Sequence, residues 1–137
     1  MSDFGMVTVA SPWSVSETID CLEALVAGAG LYVFARINHA DNAAQVGMEL
    51  RPTELLIFGN PRGGTPLMQD RQTSGIDLPV KALAWEDADG AVWLTYNDAT
   101  WLADRHGLGA DSEPAIGAIR MGLAELIERV VNRDRSA

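Results

Sequence analysis

The chain has one cysteine, Cys21, so no internal disulfide braces its 137 residues. Positive charge is scarce. Ten Lys and Arg, with Lys81 the sole lysine, face nineteen Asp and Glu, for a formal charge of -9. A field of that sign repels phosphate backbones and anionic lipid, which excludes nucleic acid and membrane surfaces as expected partners. No run approaches the ~18 apolar residues of a bilayer span. The opening MSDFGMVTVA lacks the basic and long apolar segments of a signal peptide, so a cytoplasmic protein is expected. With two histidines and one cysteine, the three or four convergent ligands of a zinc site are lacking, and neither metal nor cofactor is expected. No G-x-S-x-G, Walker loop or G-x-G-x-x-G at a strand-to-helix turn occurs.

What is present is ordinary globular material, 47% apolar and 21% charged, in a length that predicts a single domain over 1–137. Val7 and Val9 mark a short first strand ending before Ser11. Ser14 and Glu17 have capping-box spacing, and Ile19, Leu22, Leu25, Val26 and Ala29 repeat at helical period behind them. Residues 31–37 and 54–58 are apolar runs, read as strands covered on both faces. A short helix between them, capped by Asn38 or Asp41, makes a parallel crossover one available path. Thr65 and Pro66 read as the cap and first position of another short helix. Val80–Trp85 and Ala91–Tyr96 form a hairpin through residues 87–90. A two-residue turn sets Trp85 opposite Leu94 and a four-residue loop sets it opposite Val92. Both registers put Leu83, Trp85, Val92, Leu94 and Tyr96 on one face, with Glu86, Trp93, Thr95 and Asn97 on the other. Asp98 caps a short helix that ends at Gly107, an amphipathic helix runs about 112–132, and a frayed tail follows from Arg133.

The sum is an α+β two-layer fold: about five strands in a mixed sheet, two longer helices and several short ones. Tyr32, Phe34, Leu56, Phe58 and Trp93 cannot all share the face that takes the long helices, so a second apolar face remains. A homodimer is the preferred cover, and residues 60–78 folding over it is the alternative.

Several groups invite a chemical reading. Gly63, Gly64 and Thr65 before a helix offer N–H groups to an anion, and Arg62 beside them suits a carboxylate or phosphate. Together with Arg36, His39, Asn60 and Trp93 they make the expected ligand-binding set, for a small anionic ligand in a cleft near the second sheet face and 60–66. The first reading is therefore a non-enzymatic, homodimeric binding or interaction domain. The alternative is an enzyme with His39 as general base, oriented by Asp41 or Glu49.

Residues 34–40, FARINHA, and 51–61, RPTELLIFGNP, followed by GTPLM, GIDLPVKAL, WED and VWLTYND, resemble a family catalogued as domain of unknown function 302. The resemblance covers about residues 5–108 and implies a two-layer α/β fold, often homodimeric, without implying a reaction, cofactor or catalytic residues. Asn38 stands where that family commonly has Asp before His.

Overall fold

The computed structural model describes residues 4–133, so the expected tail beyond Arg133 lies outside the described residues. Strands β1 (Met6–Ser11), β2 (Tyr32–Asn38), β3 (Thr53–Gly59), β4 (Val80–Glu86) and β5 (Val92–Asn97) form one sheet in the order β1-β5-β4-β3-β2. Helices α1 (Val15–Gly28), α2 (His39–Gln45), α3 (Pro61–Asp70), α4 (Ala99–His106) and α5 (Glu113–Val131) complete the α+β fold.

The helix starts follow from local chemistry. Ser14 Oγ accepts from the Glu17 N–H and the Glu17 side chain accepts from the Ser14 N–H, so the capping box forms as its spacing predicts. Asn38 caps α2 and Asp98 caps α4, which ends at Gly107 with φ 61. The Ser112 hydroxyl, an expected cap for α5, instead donates to Asp70 at 2.7 Å.

Every strand pair is antiparallel, which corrects the mixed sheet and the parallel crossover between β2 and β3. A crossover helix needs an apolar stripe to lie on the sheet. α2, HADNAAQ, buries none of its residues, and the chain turns back to pair β3 beside β2. β2 is thus an edge strand with Tyr32, Val33 and Phe34 exposed, and not a strand covered on both faces. A register shift between Val33 and Ala35 breaks its alternation, which is why the run reads as continuously apolar.

The hairpin register differs from both expected ones by one residue, with Trp85 opposite Trp93. Asp87 Oδ1 accepts from the N–H groups of Asp89 and Ala91, the Asp87 N–H donates to the Ala91 carbonyl, and Gly90 has φ 85. That is a three-residue loop with a left-handed glycine, and an odd loop reverses side-chain parity relative to an even one. Ala82, Ala84 and Leu94 therefore face the helices, while Leu83, Trp85, Trp93 and Thr95 share the opposite face. Of the five apolar residues that cannot all share the helix-covered face, Leu56 and Phe58 face the helices and Trp93 the open side.

The core joins Ile19, Leu22 and Val26 of α1 and Leu123, Ile127 and Val130 of α5 to Leu56, Phe58, Ala82, Ala84 and Leu94 of the sheet. The two alanines on the central strand let α1 approach closely. Residues 60–78 form α3 and a 3-10 turn, and α3 packs on α5 at the helical face, so they do not cover the open face.

Candidate functional site

The first turn of α3 places one wall of a cleft. Asn60, and not Thr65, is its cap: Asn60 Oδ1 accepts from the Arg62 N–H at 2.9 Å. The Asn60 carbonyl accepts from the N–H groups of Gly63 at 2.8 Å and Gly64 at 3.2 Å. Pro61 occupies the first position, where its missing N–H costs nothing, and Pro66 falls inside the helix. The N–H groups expected to await an anion are thus already accepted within the turn.

Between this turn, α5 and the β2–β4 end of the sheet lies a cleft of about 440 Å³. Phe34 and Phe58 form its floor, Gly63, Gly64, Thr65 and Met68 one side, Ile119, Gly122, Leu123 and Leu126 the other, and Leu78-Pro79, joined by a cis peptide, one end. Among the described residues, none of its lining side chains is charged. A Cβ built on Gly63 or Gly122 meets nothing within 4 Å, so the two glycines hold the cleft open. Asn60 and Thr65, both exposed, are the lining residues with polar side chains.

Of the residues expected to bind ligand, Asn60, Gly63, Gly64 and Thr65 meet here. Arg62 and Arg36 do not line it. Arg36 Nε donates to Glu54 at 2.9 Å and its Nη1 to Asp20 at 2.7 Å, with Glu23 at 3.4 Å. Partial burial works against its charge, but the hydrogen bonds to Asp20 and Glu54 outweigh that and raise its pKa. Arg36 ties the β2 edge to α1. Trp93 stands on the open face, its ring tilted 31° to that of Trp85 with centroids 6.3 Å apart, and its indole N–H donated to Asp87. The cleft adjoins residues 60–66, as expected, but it lies on the helical side of the sheet.

His39, Asp41 and Glu49 are exposed, and among the described residues no hydrogen bond or ion pair joins His39 to a carboxylate. The histidine that does meet a carboxylate is His106, whose Nε2 lies 2.5 Å from Asp77 Oδ2, with Arg105 also donating to Asp77. This cluster fastens the end of α4 to the turn before β4. Among the described residues no group of three or more His, Cys, Asp or Glu converges as a metal site.

The cleft walls from α5 and Leu78-Pro79 were not anticipated. One signal was available: Ala118 and Gly122, four apart, notch a stripe otherwise made of Ile119, Leu123 and Leu126.

Among the described residues no helix is long and apolar enough to cross a membrane. The chain is 54% identical over 120 residues to proteins named fluoride-specific ion channel FluC 1 of Brucella suis biovar 1 and of Brucella abortus biovar 1. The match takes in 88% of this chain but 47% and 44% of those proteins, so the chain spans less than half the length of the curated relatives it matches. A crystal structure of an uncharacterized conserved protein DUF302 from Bacillus stearothermophilus has the same fold, with a TM-score of 0.81 at 19% identity over 93% of this chain and 99% of that one. The family model described as domain of unknown function DUF302 matches residues 7–130 and takes in most of α5, beyond the stretch that carried the sequence resemblance. The chain belongs to the DUF302 family.

Proposed function

We propose that this chain is a non-enzymatic binding domain that takes a small molecule into the cleft between α3, α5 and the β2–β4 end of the sheet, and that two copies associate through the open sheet face. The cleft carries the reading. Its volume of about 440 Å³ falls within the ~300–1,000 Å³ common for ligand sites, and its walls are mostly apolar, with Asn60 and Thr65 as the polar side chains. The exposed His39, without a carboxylate partner among the described residues, gives no comparable support to a general base. The channel name of the Brucella relatives belongs to proteins more than twice as long as the shared segment, and is not carried over.

Self-association rests on charge as well as apolar surface. Alternation puts Ala10, Ala35, Ile37, Leu55, Ile57, Leu83, Trp85 and Trp93 on the open face, and the acidic strand residues Glu54 and Glu86 on the other side. In a chain of charge -9, a strand face that carries Lys81 but no Asp or Glu, bordered by an Asp87 carboxylate already bound by the Trp93 indole, is where a second copy approaches at least cost.

Binding is tested with N-phenyl-1-naphthylamine, an uncharged fluorescent probe. Saturable enhancement at one probe per chain is expected for the wild type and its loss for Gly122→Leu, whose side chain fills the cleft. A melting temperature for Gly122→Leu no lower than wild type shows that the fold is kept. Probe binding that survives Gly122→Leu refutes the site.

A further inference from the structure

We infer that the ligand of this cleft is a planar aromatic molecule whose ring stacks on Phe34; this rests on the cleft being the binding site. The backbone of β2 carries the argument. Arg36 reaches across to Asp20 of α1, so it lies on the helical side, and alternation back from it keeps Phe34 there as well. Unbroken alternation would place Tyr32 on that side too. The register shift between Val33 and Ala35 pairs Tyr32 with Gly59 instead, in the same file as Ile57 and Leu55 of the open face. Phe34 accordingly lines the cleft, and Tyr32 does not. Side chains two apart on a strand stand roughly 7 Å from each other, within reach of a ring pair, so the bulge withdraws a second ring from beside Phe34 on the cleft side. Phe34 is left 49% exposed, and a ligand ring can take the vacated place.

The rings and the walls suit a flat molecule. Tyr32 meets Phe34 edge to face, with centroids 6.0 Å apart and planes at 79°. Such a contact occupies at most one face of the Phe34 ring, so the other stays available for stacking. Gly63 on α3 and Gly122 on α5 present bare backbone, since a Cβ at either meets nothing within 4 Å, and a thin molecule can lie against both helices. At about 440 Å³ the cleft is roughly three times the ~150 Å³ cavity that takes up benzene, which gives room for two or three fused rings. A saturated molecule of the same outline is thicker and gains no ring pair.

Two alcohols with one carbon skeleton separate ring stacking from burial. 2-Naphthol and its saturated form, decahydro-2-naphthol, are each titrated against N-phenyl-1-naphthylamine bound to the full chain at pH 7, with the probe's own affinity measured for every variant. 2-Naphthol is expected to bind at least about threefold more tightly, although both bring the same carbons and hydroxyl. Phe34→Leu should weaken 2-naphthol by roughly three- to tenfold and change decahydro-2-naphthol by less than about twofold, while Phe34→Tyr, which keeps the ring, should bind both as wild type does. Because Phe34 is half exposed, both variants should melt near the wild-type temperature. Equal affinity for the two alcohols, or an equal loss of both in Phe34→Leu, overturns the aromatic ligand and leaves the cleft standing. Absence of probe binding, or probe binding that survives Gly122→Leu, overturns the cleft and this inference with it.

Discussion

At the scale of single residues, the two tryptophans of the hairpin show how one step of register changes a residue's role. Leu56 and Phe58 are fully buried among helices, whereas Trp85 and Trp93 lie half-buried on the open face with both indole N–H groups satisfied, by Thr95 at 2.8 Å and Asp87 at 2.9 Å. Phe58→Ala should therefore cost about 3–5 kcal/mol in urea unfolding, the range for emptying a core aromatic site. Trp85→Ala and Trp93→Ala should each cost less, and a double-mutant cycle should return a coupling of about 0.5–1.5 kcal/mol for the ring pair. A Trp85→Ala loss equal to that of Phe58→Ala contradicts its place on the open face. Two carboxylates make acid sensitivity legible in the same way. The Trp93 indole and the Ala91 N–H hold Asp87 below the usual carboxylate range, and Ser112 with the Gly109 N–H does the same for Asp70. A depressed folded pKa means that the stabilisation is complete above the unfolded value, near pH 4, and is lost as pH falls through the folded value. Stability measured from pH 6 down to 2 should fall below about pH 4, and Asp70→Asn with Asp87→Asn should flatten that limb. An unchanged acid limb in the double variant refutes the assignment.

At the scale of elements, α3 turns on where its helix begins. Thr65-Pro66 is a good start signal, yet Asn60-Pro61 is an equally good one five residues upstream, with Asn60 as cap and Pro61 at the first position. The earlier start wins in the folded chain, where it lets Leu67 bury completely and Gly64 lie against Leu78. Asn60→Ala is accordingly expected to cost about 0.5–2 kcal/mol, and Thr65→Ala within ±0.5 kcal/mol, by chemical denaturation. The reverse ranking contradicts the cap assignment. Phosphate at matched ionic strength should shift the melting temperature of wild type and Arg62→Ala equally, since the N–H groups of this turn are already accepted. A wild-type increment missing from Arg62→Ala would restore an anion site. The capping box of α1 and the cap of α4 were legible outright, and that of α2 was narrowed to Asn38 or Asp41, because each is decided within four residues of sequence. The partners of β2 were not, because strand pairing is settled by what lies across space.

At the scale of the whole molecule, the expected two-sided apolar sheet is present but its membership differs, and the proposed association uses the side that no long helix covers. Sedimentation at micromolar concentration should give about twice the chain mass, and Leu83→Glu, which sets a carboxylate in the middle of the open face, should return a folded monomer. Because each copy carries -9, added salt should tighten the association by screening, the opposite of an interface held by ion pairs. A monomer at every salt concentration removes the homodimer and leaves the cleft reading untouched. The amino-acid sequence by itself determined the α+β class, four of the five helix caps or starts, the left-handed end of α4 and the amphipathic stripe of α5, since periodicity and capping are local signals. Tertiary structure alone decided the antiparallel edge position of β2, the shared face of Trp85 and Trp93, and the meeting of Gly63, Thr65 and Gly122 around one cleft. The physical reason is parity and distance. A single loop residue inverts which strand face is buried, and residues nearly sixty positions apart become neighbours only when α3 and α5 pack on the same side of the sheet.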